Sequence, residues 1–152
     1  MLLSICIPTY NRSESLKNCL NSLSVQKNKN KFEVCISDNC SNYNVQQLIK
    51  PFKKKINIRF KKNKKNLGFG MNVLKVSQMA KGKFIWFLGD DDLVTTDSIS
   101  HIIKLIEKNK NVDFYFINSY YLDKSYLAQF SKPFNIKNLP KKMLAHSPVK
   151  KK

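Results

Sequence analysis

Arginine is almost missing from a chain that is otherwise strongly basic. Of 28 Lys and Arg residues, only Arg12 and Arg59 are arginine. Acids are scarce too, at 10 Asp and Glu, which leaves a net charge of +18. A charge of that size invites nucleic-acid or membrane readings. Base readout, however, leans on the planar fork of arginine, which lysine cannot supply. A specific nucleic-acid partner is therefore not expected, while peripheral contact with anionic lipid headgroups is. No apolar run approaches the roughly 18 residues that span a bilayer. Met1–Pro8 has no basic leader and too short an apolar stretch for a signal peptide. The expected location is the cytoplasm, at most the inner membrane face. Four cysteines, Cys6, Cys19, Cys35 and Cys40, form no Cys-x-x-Cys pair, and only His101 and His146 could complete a zinc site. Cys6 and Cys35 sit in apolar runs, where free thiols pack as small hydrophobes. Walker A and Gly-x-Ser-x-Gly motifs are absent, which disfavours P-loop NTPases and α/β-hydrolases.

What is present describes a globular α/β protein. The 152 residues are 42% hydrophobic and 11% aromatic, enough for one domain with a real core. Leu2–Pro8 reads as a buried strand, followed by a helix over 12–25 on the spacing of Leu16, Cys19, Leu20 and Leu23. Asn11 with Glu14 matches a capping box for that helix. Phe32–Ser37 is a second strand. Val45, Leu48, Ile49 and Phe52 mark a short helix, and residues 56–61 a third, less buried strand. Val73, Val76 and Met79–Ala80 give one face of a helix that Gly82 closes. Phe84–Leu88, unbroken in its hydrophobicity, reads as a central strand buried on both faces. Thr95 or Thr96 would cap a helix striped by Ile99, Ile102, Ile103 and Ile106, with Asp97 in its first turn. Val112–Asn118 is a further strand. Residues 1–124 form the domain, and 125–152 a weakly structured lysine-rich tail broken by Pro133, Pro140 and Pro148. Strands alternating with helices mean a mostly parallel sheet with right-handed crossovers.

Three loops leave the carboxyl ends of the expected strands: Thr9–Arg12, Asp38–Asn42 and Gly89–Asp92. In a parallel sheet all three open on the edge where ligands bind. Asp90, Asp91 and Asp92 are adjacent carboxylates that repel one another. Such oxygen-rich clusters suit a hard cation, Mg²⁺ or Mn²⁺, bridging phosphates; the plain alternative is an acidic turn that starts the next helix. Asp38 could accept from a base N–H or cap an Asx-turn, and the alignment of the loops favours the ligand. Asn66–Asn72 contains only Gly-x-Gly. Its glycines allow close backbone approach to a ligand and its asparagines can donate to a sugar or phosphate, but a plain turn into a helix fits the same spacing.

Cys6–Arg12, Ile36–Ser41, Asn66–Gly68 with Asn72, and Phe87–Asp92 stand in the order found in glycosyltransferase family 2. The chain resembles the N-terminal, nucleotide-sugar-binding half of that family's GT-A fold over residues 2–122, with the acceptor side cut short. The resemblance implies that Pro8, Thr9, Tyr10 and Arg12 line the nucleoside site and that Asp38 faces the base, typically uracil, with Asn39 beside it. Asn66, Gly68 and Asn72 would border the diphosphate and sugar. Asp90 or Asp91 would contact ribose, and Asp92 the metal. The implied activity is inverting transfer of a sugar from a UDP-sugar or other nucleotide sugar to a glycan or lipid-linked acceptor hydroxyl, in cell-surface polysaccharide or glycoconjugate synthesis. Two features depart from the family's pattern. Met71 replaces the usual arginine before Asn72, and the stretch from Ser125 holds no acid to serve as base. Asp123 is the only downstream carboxylate considered for that role. Two other classes are a donor-binding or polyanion-binding remnant without catalysis, and a nucleotidyltransferase. The latter would need a glycine-rich basic loop where Thr9–Asn11 stand.

Overall fold

The computed structural model describes residues 1–117 and 119. The chain divides into two compact units, Met1–Ile103 and Lys104–Lys152. The first is built around strand β1 (Leu3–Thr9), followed by helix α1 (Ser13–Ser24), β2 (Phe32–Asp38) and α2 (Val45–Ile49). A 3-10 turn at Phe52–Lys54 leads to β3 (Ile58–Lys62), then α3 (Phe69–Ser77), β4 (Phe84–Phe87) and α4 (Ser98–Lys108). All four strands are parallel, in the order β3-β2-β1-β4. The α/β expectation therefore holds.

The sheet's register follows from burial. β1 and β2 are apolar almost throughout and pair from Leu3↔Phe32 to Thr9↔Asp38. Every residue of β2 is buried, as are all of β1 except Pro8. Cys6 and Cys35 are register partners packed under Val76, Met79 and Ala80 of the α3 segment. Leu16, Cys19, Leu20 and Leu23 give α1 its buried stripe. Each such side chain taken out of water contributes about 1.5–3 kcal/mol. All four cysteines are free thiols, and Cys6, Cys19 and Cys35 are buried.

Several local expectations are corrected. β4 is not central: it is the outermost strand among the described residues, and Ile85 and Phe87 are 45% and 52% exposed. Its apolar run mimics a doubly buried strand, but only one edge pairs with β1. No capping box forms. Arg12 holds the N-cap position without a side-chain capping bond, while Asn11 adopts a left-handed φ of 54° and turns its side chain to the Asn42 N–H. Phe52 belongs to the 3-10 turn, because Pro51 interrupts the helix. α3 ends at Ser77 with Gln78 as its C-cap, ahead of Gly82. Gly82 instead lies against β1, where an added Cβ would stand 2.6 Å from the Ser4 nitrogen. Asp97 precedes α4 at a φ of 63° rather than lying in its first turn, and Thr95 Oγ1 meets Ser98 Oγ at 2.6 Å. The isoleucine stripe of α4 is buried as expected.

In the second unit, residues 112–117 form no strand, contrary to expectation. Tyr115 hooks its hydroxyl onto the Asn109 carbonyl at 3.1 Å. Asp123 and the 125–152 tail lie outside the described residues.

Candidate functional site

The carboxyl ends of β1, β2 and β4 carry the three polar turns, and hydrogen bonds join them directly. Thr9, the last residue of β1, donates from Oγ1 to Asp90 Oδ2 at 2.7 Å. Arg12 donates to Asp90 Oδ1 at 3.4 Å and to Asp91. The β1 turn is also tied to the β2 turn. The Asn11 N–H bonds Ser41 Oγ at 2.9 Å, and the Asn42 N–H bonds Asn11 Oδ1 at 2.8 Å. β1 and β2 end together at the Thr9–Asp38 pair, whereas β4 stops at Phe87 opposite Cys6, and Leu88 and Gly89 carry the chain on until Asp90 reaches Thr9.

Between these turns and the N-terminus of α3 lies a cleft of about 510 Å³, in the usual range for small-molecule sites. Pro8, Thr9, Tyr10 and Arg12 line it from the β1 side, Asn39 from β2, and Gly89, Asp90 and Asp91 from β4. Asn66, Gly68 and Asn72 close the wall opposite. Two expected residues are not on the lining. Asp38 is fully buried, and its Oδ1 accepts the Ser41 N–H at 2.8 Å, the Asx-turn arrangement. Its Oδ2 has no hydrogen-bond partner and faces Lys62 Nζ at 3.8 Å. Asp92 folds back so that its Oδ2 accepts the Gly89 N–H at 3.0 Å.

The wall opposite Asp90 is a network of amides. Asn39 donates to Asn66 Oδ1 at 2.7 Å and accepts the Leu67 N–H at 2.9 Å. Asn72 accepts from Ser37 Oγ at 2.7 Å and Asn63 Nδ2 at 3.0 Å, and donates to the Ser37 carbonyl at 3.0 Å. Gly68 begins α3 at a φ of 79°, a conformation that side-chain-bearing residues rarely adopt. Sequence reasoning missed Ser37 and Asn63, which hold this wall from behind, and Phe69, Val73 and Phe87, which add apolar lining. Asn63 lies in a run of lysines, and no local pattern marks it. By sequence, Phe69 falls inside the Asn66–Asn72 turn, Val73 on a helix face and Phe87 in a strand, none of them against a ligand.

Charge is arranged unevenly. Burial pushes the Asp90 carboxyl above its ordinary value, and Asp91 adds to this; the Thr9 hydrogen bond and Arg12 offset part of it. Asp90 and Asp91 in turn raise the Arg12 guanidinium. Behind the aspartates, burial pushes the Cys19 thiol up to about 12, with Asp92, Asp90 and Asp91 adding to the rise. Burial also raises the Tyr43 phenol, whose hydroxyl has no hydrogen-bond partner among the described residues.

Three carboxylates on one loop are an all-oxygen donor set of the kind hard cations take. Among the described residues they do not gather as a group of three ligands. Asp90 is committed to Thr9 and Arg12; Asp91 also pairs with Arg12, but its side chain is 57% exposed. That leaves Asp91, with Asp92 beside it, as the residues that fit a cation sharing its shell with phosphate oxygens. Mg²⁺ commonly binds in this way, through one or two carboxylates.

The comparisons agree with this geometry. The chain is 36% identical to abequosyltransferase RfbV of Salmonella typhimurium over 115 residues, covering 74% of this chain and 34% of that protein. It is 32% identical to an uncharacterized glycosyltransferase of Methanocaldococcus jannaschii over 126 residues, 82% of this chain and 43% of that one. The crystal structure of Staphylococcus aureus TarS 1-349 in complex with UDP-GlcNAc superposes with a TM-score of 0.76 at 26% identity. It covers 82% of this chain and 36% of the TarS 1-349 chain. The chain thus spans well under half the length of these relatives. The model of the glycosyl transferase family 2 matches residues 4–148. With motif order, sheet topology and cleft all in agreement, the chain belongs to glycosyl transferase family 2.

Proposed function

We propose that the cleft binds the nucleotide part of a sugar donor, UDP-linked in the first instance, and that this chain forms the donor side of an inverting sugar transfer. The observation that carries this reading is the joining of three strand-end turns in one cleft by Thr9, Arg12 and Asp90. The turns make a polar rim around an apolar floor, as a nucleoside diphosphate needs. TarS, which superposes on this chain, is seen with UDP-GlcNAc and with UDP. Tyr10 and Pro8 offer flat apolar surface for a base. The spare Oδ2 of Asp38 is an acceptor for a base N–H, reached once the Asp38–Asn42 turn opens toward the cleft. Asn66, Asn72 and the backbone at Gly68 face the sugar and diphosphate.

Asp91 and Asp92 would hold Mg²⁺ or Mn²⁺. A bound ion would neutralise charge on the diphosphate as it leaves. Arg12 already contributes a fixed positive charge on this rim, and its pairing with Asp90 and Asp91 keeps it oriented. An acceptor hydroxyl on a glycan or lipid-linked sugar attacks the anomeric carbon from the face opposite the diphosphate. Its proton passes to a carboxylate base while the sugar–diphosphate bond breaks, and the anomeric configuration inverts. Such a reaction fits the assembly of cell-surface polysaccharide. Titration calorimetry with UDP in the presence of Mn²⁺ or Mg²⁺ tests the donor reading. Micromolar binding that weakens at least tenfold in Arg12→Ala supports it. Absence of UDP binding with either ion overturns it.

A further inference from the structure

We propose that the lysine-dense outer edge of the sheet, residues 50–65, is a docking surface for an anionic lipid bilayer. The segment holds nine Lys and Arg among sixteen residues and no acid, where an even spread of the chain's basic residues would put about three. General lysine richness therefore does not account for it. The fold then concentrates the charge along one border. Lys53 and Lys54 lie on the 3-10 turn before β3 and Lys55 directly after it, and four more lie at the far end of β3 or just beyond. Among the described residues β3 itself is the last strand on that side of the sheet, about 16 Å long at roughly 3.3 Å per residue.

Two of the nine are engaged. Arg59 is bound to Glu33 at 2.6 Å, and Lys62 donates to the Ser41 carbonyl at 3.0 Å. Lys53, Lys54, Lys55, Lys61, Lys64 and Lys65 are exposed, and their side chains make no ion pair or hydrogen bond among the described residues. The nearby acids cannot compensate them. Glu33 is turned inward to Arg59, Asp38 is buried, and Asp90 and Asp91 are occupied by Arg12.

A bilayer fits this surface better than nucleic acid does. Single strands are gripped by exposed aromatic rings, and here Phe52 is buried and Phe60 only half-exposed. Bases are read by arginine, and the segment's one arginine is taken by Glu33. Dispersed, flexible ammonium groups without a stacking platform match a diffuse sheet of headgroup charge. None of these lysines lines the cleft, so the surface is independent of donor binding.

The test is co-sedimentation of the full chain with vesicles of phosphatidylcholine alone and of phosphatidylcholine mixed with phosphatidylglycerol. Binding is expected only to the mixed vesicles and should collapse as salt rises, because charges beyond about 8 Å are screened at physiological ionic strength. Each lysine near the surface is worth about fivefold in partitioning. A variant with Lys53, Lys54, Lys55, Lys61, Lys64 and Lys65 changed to Gln should therefore lose sedimentation while keeping its circular dichroism and its UDP affinity. A second variant, with six lysines outside residues 50–65 replaced (Lys17 and Lys29 among them), should still bind. Equal loss in both variants would reduce the effect to net charge and overturn the assignment. So would equal binding to neutral vesicles, or tighter binding to a DNA duplex than to the mixed vesicles at matched salt.

Discussion

Asn72 is where the fold and the cleft depend on the same hydrogen bonds. Its side chain is 2% exposed, so water cannot readily replace what it does. Asn72→Ala strands the Ser37 hydroxyl and one Asn63 N–H, and it removes a donor from the Ser37 carbonyl. A buried polar group left unpaired costs about 1–3 kcal/mol. The hydroxyl can rotate, and Asn63 keeps Asn39 Oδ1 at 3.2 Å, so the sum falls short of three full penalties. A loss of about 2–4 kcal/mol is expected, which for a chain of this size lowers Tm by about 5–15 °C. Asn72→Asp separates the two directions of the network. One carboxylate oxygen still accepts from Ser37 and Asn63, but the other confronts the Ser37 carbonyl, acceptor against acceptor. Only the protonated form restores a donor there, so the introduced carboxyl should titrate above the ordinary value of about 3.9. A raised acid destabilises the fold as pH climbs through that window. Urea melts at acid and neutral pH should show Asn72→Asp near wild type at the lower value and well below it at the higher. An Asn72→Ala protein within about 0.5 kcal/mol of wild type, or an Asn72→Asp deficit that ignores pH, would refute the network as drawn.

Three further outcomes follow from named contacts. Burial alone would raise Glu33, but hydrogen bonds from Arg59, Ser4 and the Lys81 N–H hold it below its ordinary 4.5. Its stability contribution is therefore full above that value and lost as pH falls through the depressed one, and Glu33→Gln should flatten the acid limb of a pH–Tm curve. Gly82→Ala drives a Cβ to 2.6 Å from the Ser4 nitrogen and 2.7 Å from the Leu3 carbonyl carbon, so a loss of about 1–3 kcal/mol by chemical denaturation is expected. Asp90→Asn removes a carboxylate whose ionisation burial opposes. Thermal melts should show it more stable than wild type at neutral pH and level with it below pH 3.8, while calorimetry shows weaker UDP binding.

Much of the architecture was legible because β1 and β2 are governed by a single effect. Both are buried on two faces, and the apolar residues of Leu3–Ile7 and Phe32–Ile36, interrupted only by Ser4 and Glu33, have no other home in an α/β chain. The same rule failed for Phe84–Phe87. Hydrophobicity records what a residue could bury, not which neighbour covers it, and Ile85 and Phe87 remain about half exposed. Helix ends were misread for a related reason. Asn11 and Asp97 are good caps by residue type, yet each sits at a left-handed φ, and Asn11 binds the neighbouring turn. A side chain with two possible partners follows the one that tertiary contact supplies.

The cleft divides along the same line. Thr9, Arg12, Asp90 and Asp91 announce themselves, since few local structures call for a run of carboxylates. Parallel topology then brings them within reach of one another: Thr9 and Arg12 are about eighty residues from Asp90 yet bonded to it. Asn63 and Ser37 carry no such signal. They act by filling hydrogen-bond valences of Asn39 and Asn72, a role any polar residue of the right reach could take. Groups that would meet a ligand are constrained in chemistry and show in residue type, whereas groups behind them are constrained only in geometry and emerge with the fold. Asp38 stands between the two. Its Oδ1 serves the turn, as the Asx-turn reading expects, and its buried Oδ2 is left without a hydrogen-bond donor. A buried acceptor without a donor costs the free protein stability that a bound N–H would return. Nucleotide binding should therefore raise the melting temperature less in Asp38→Ala than in wild type.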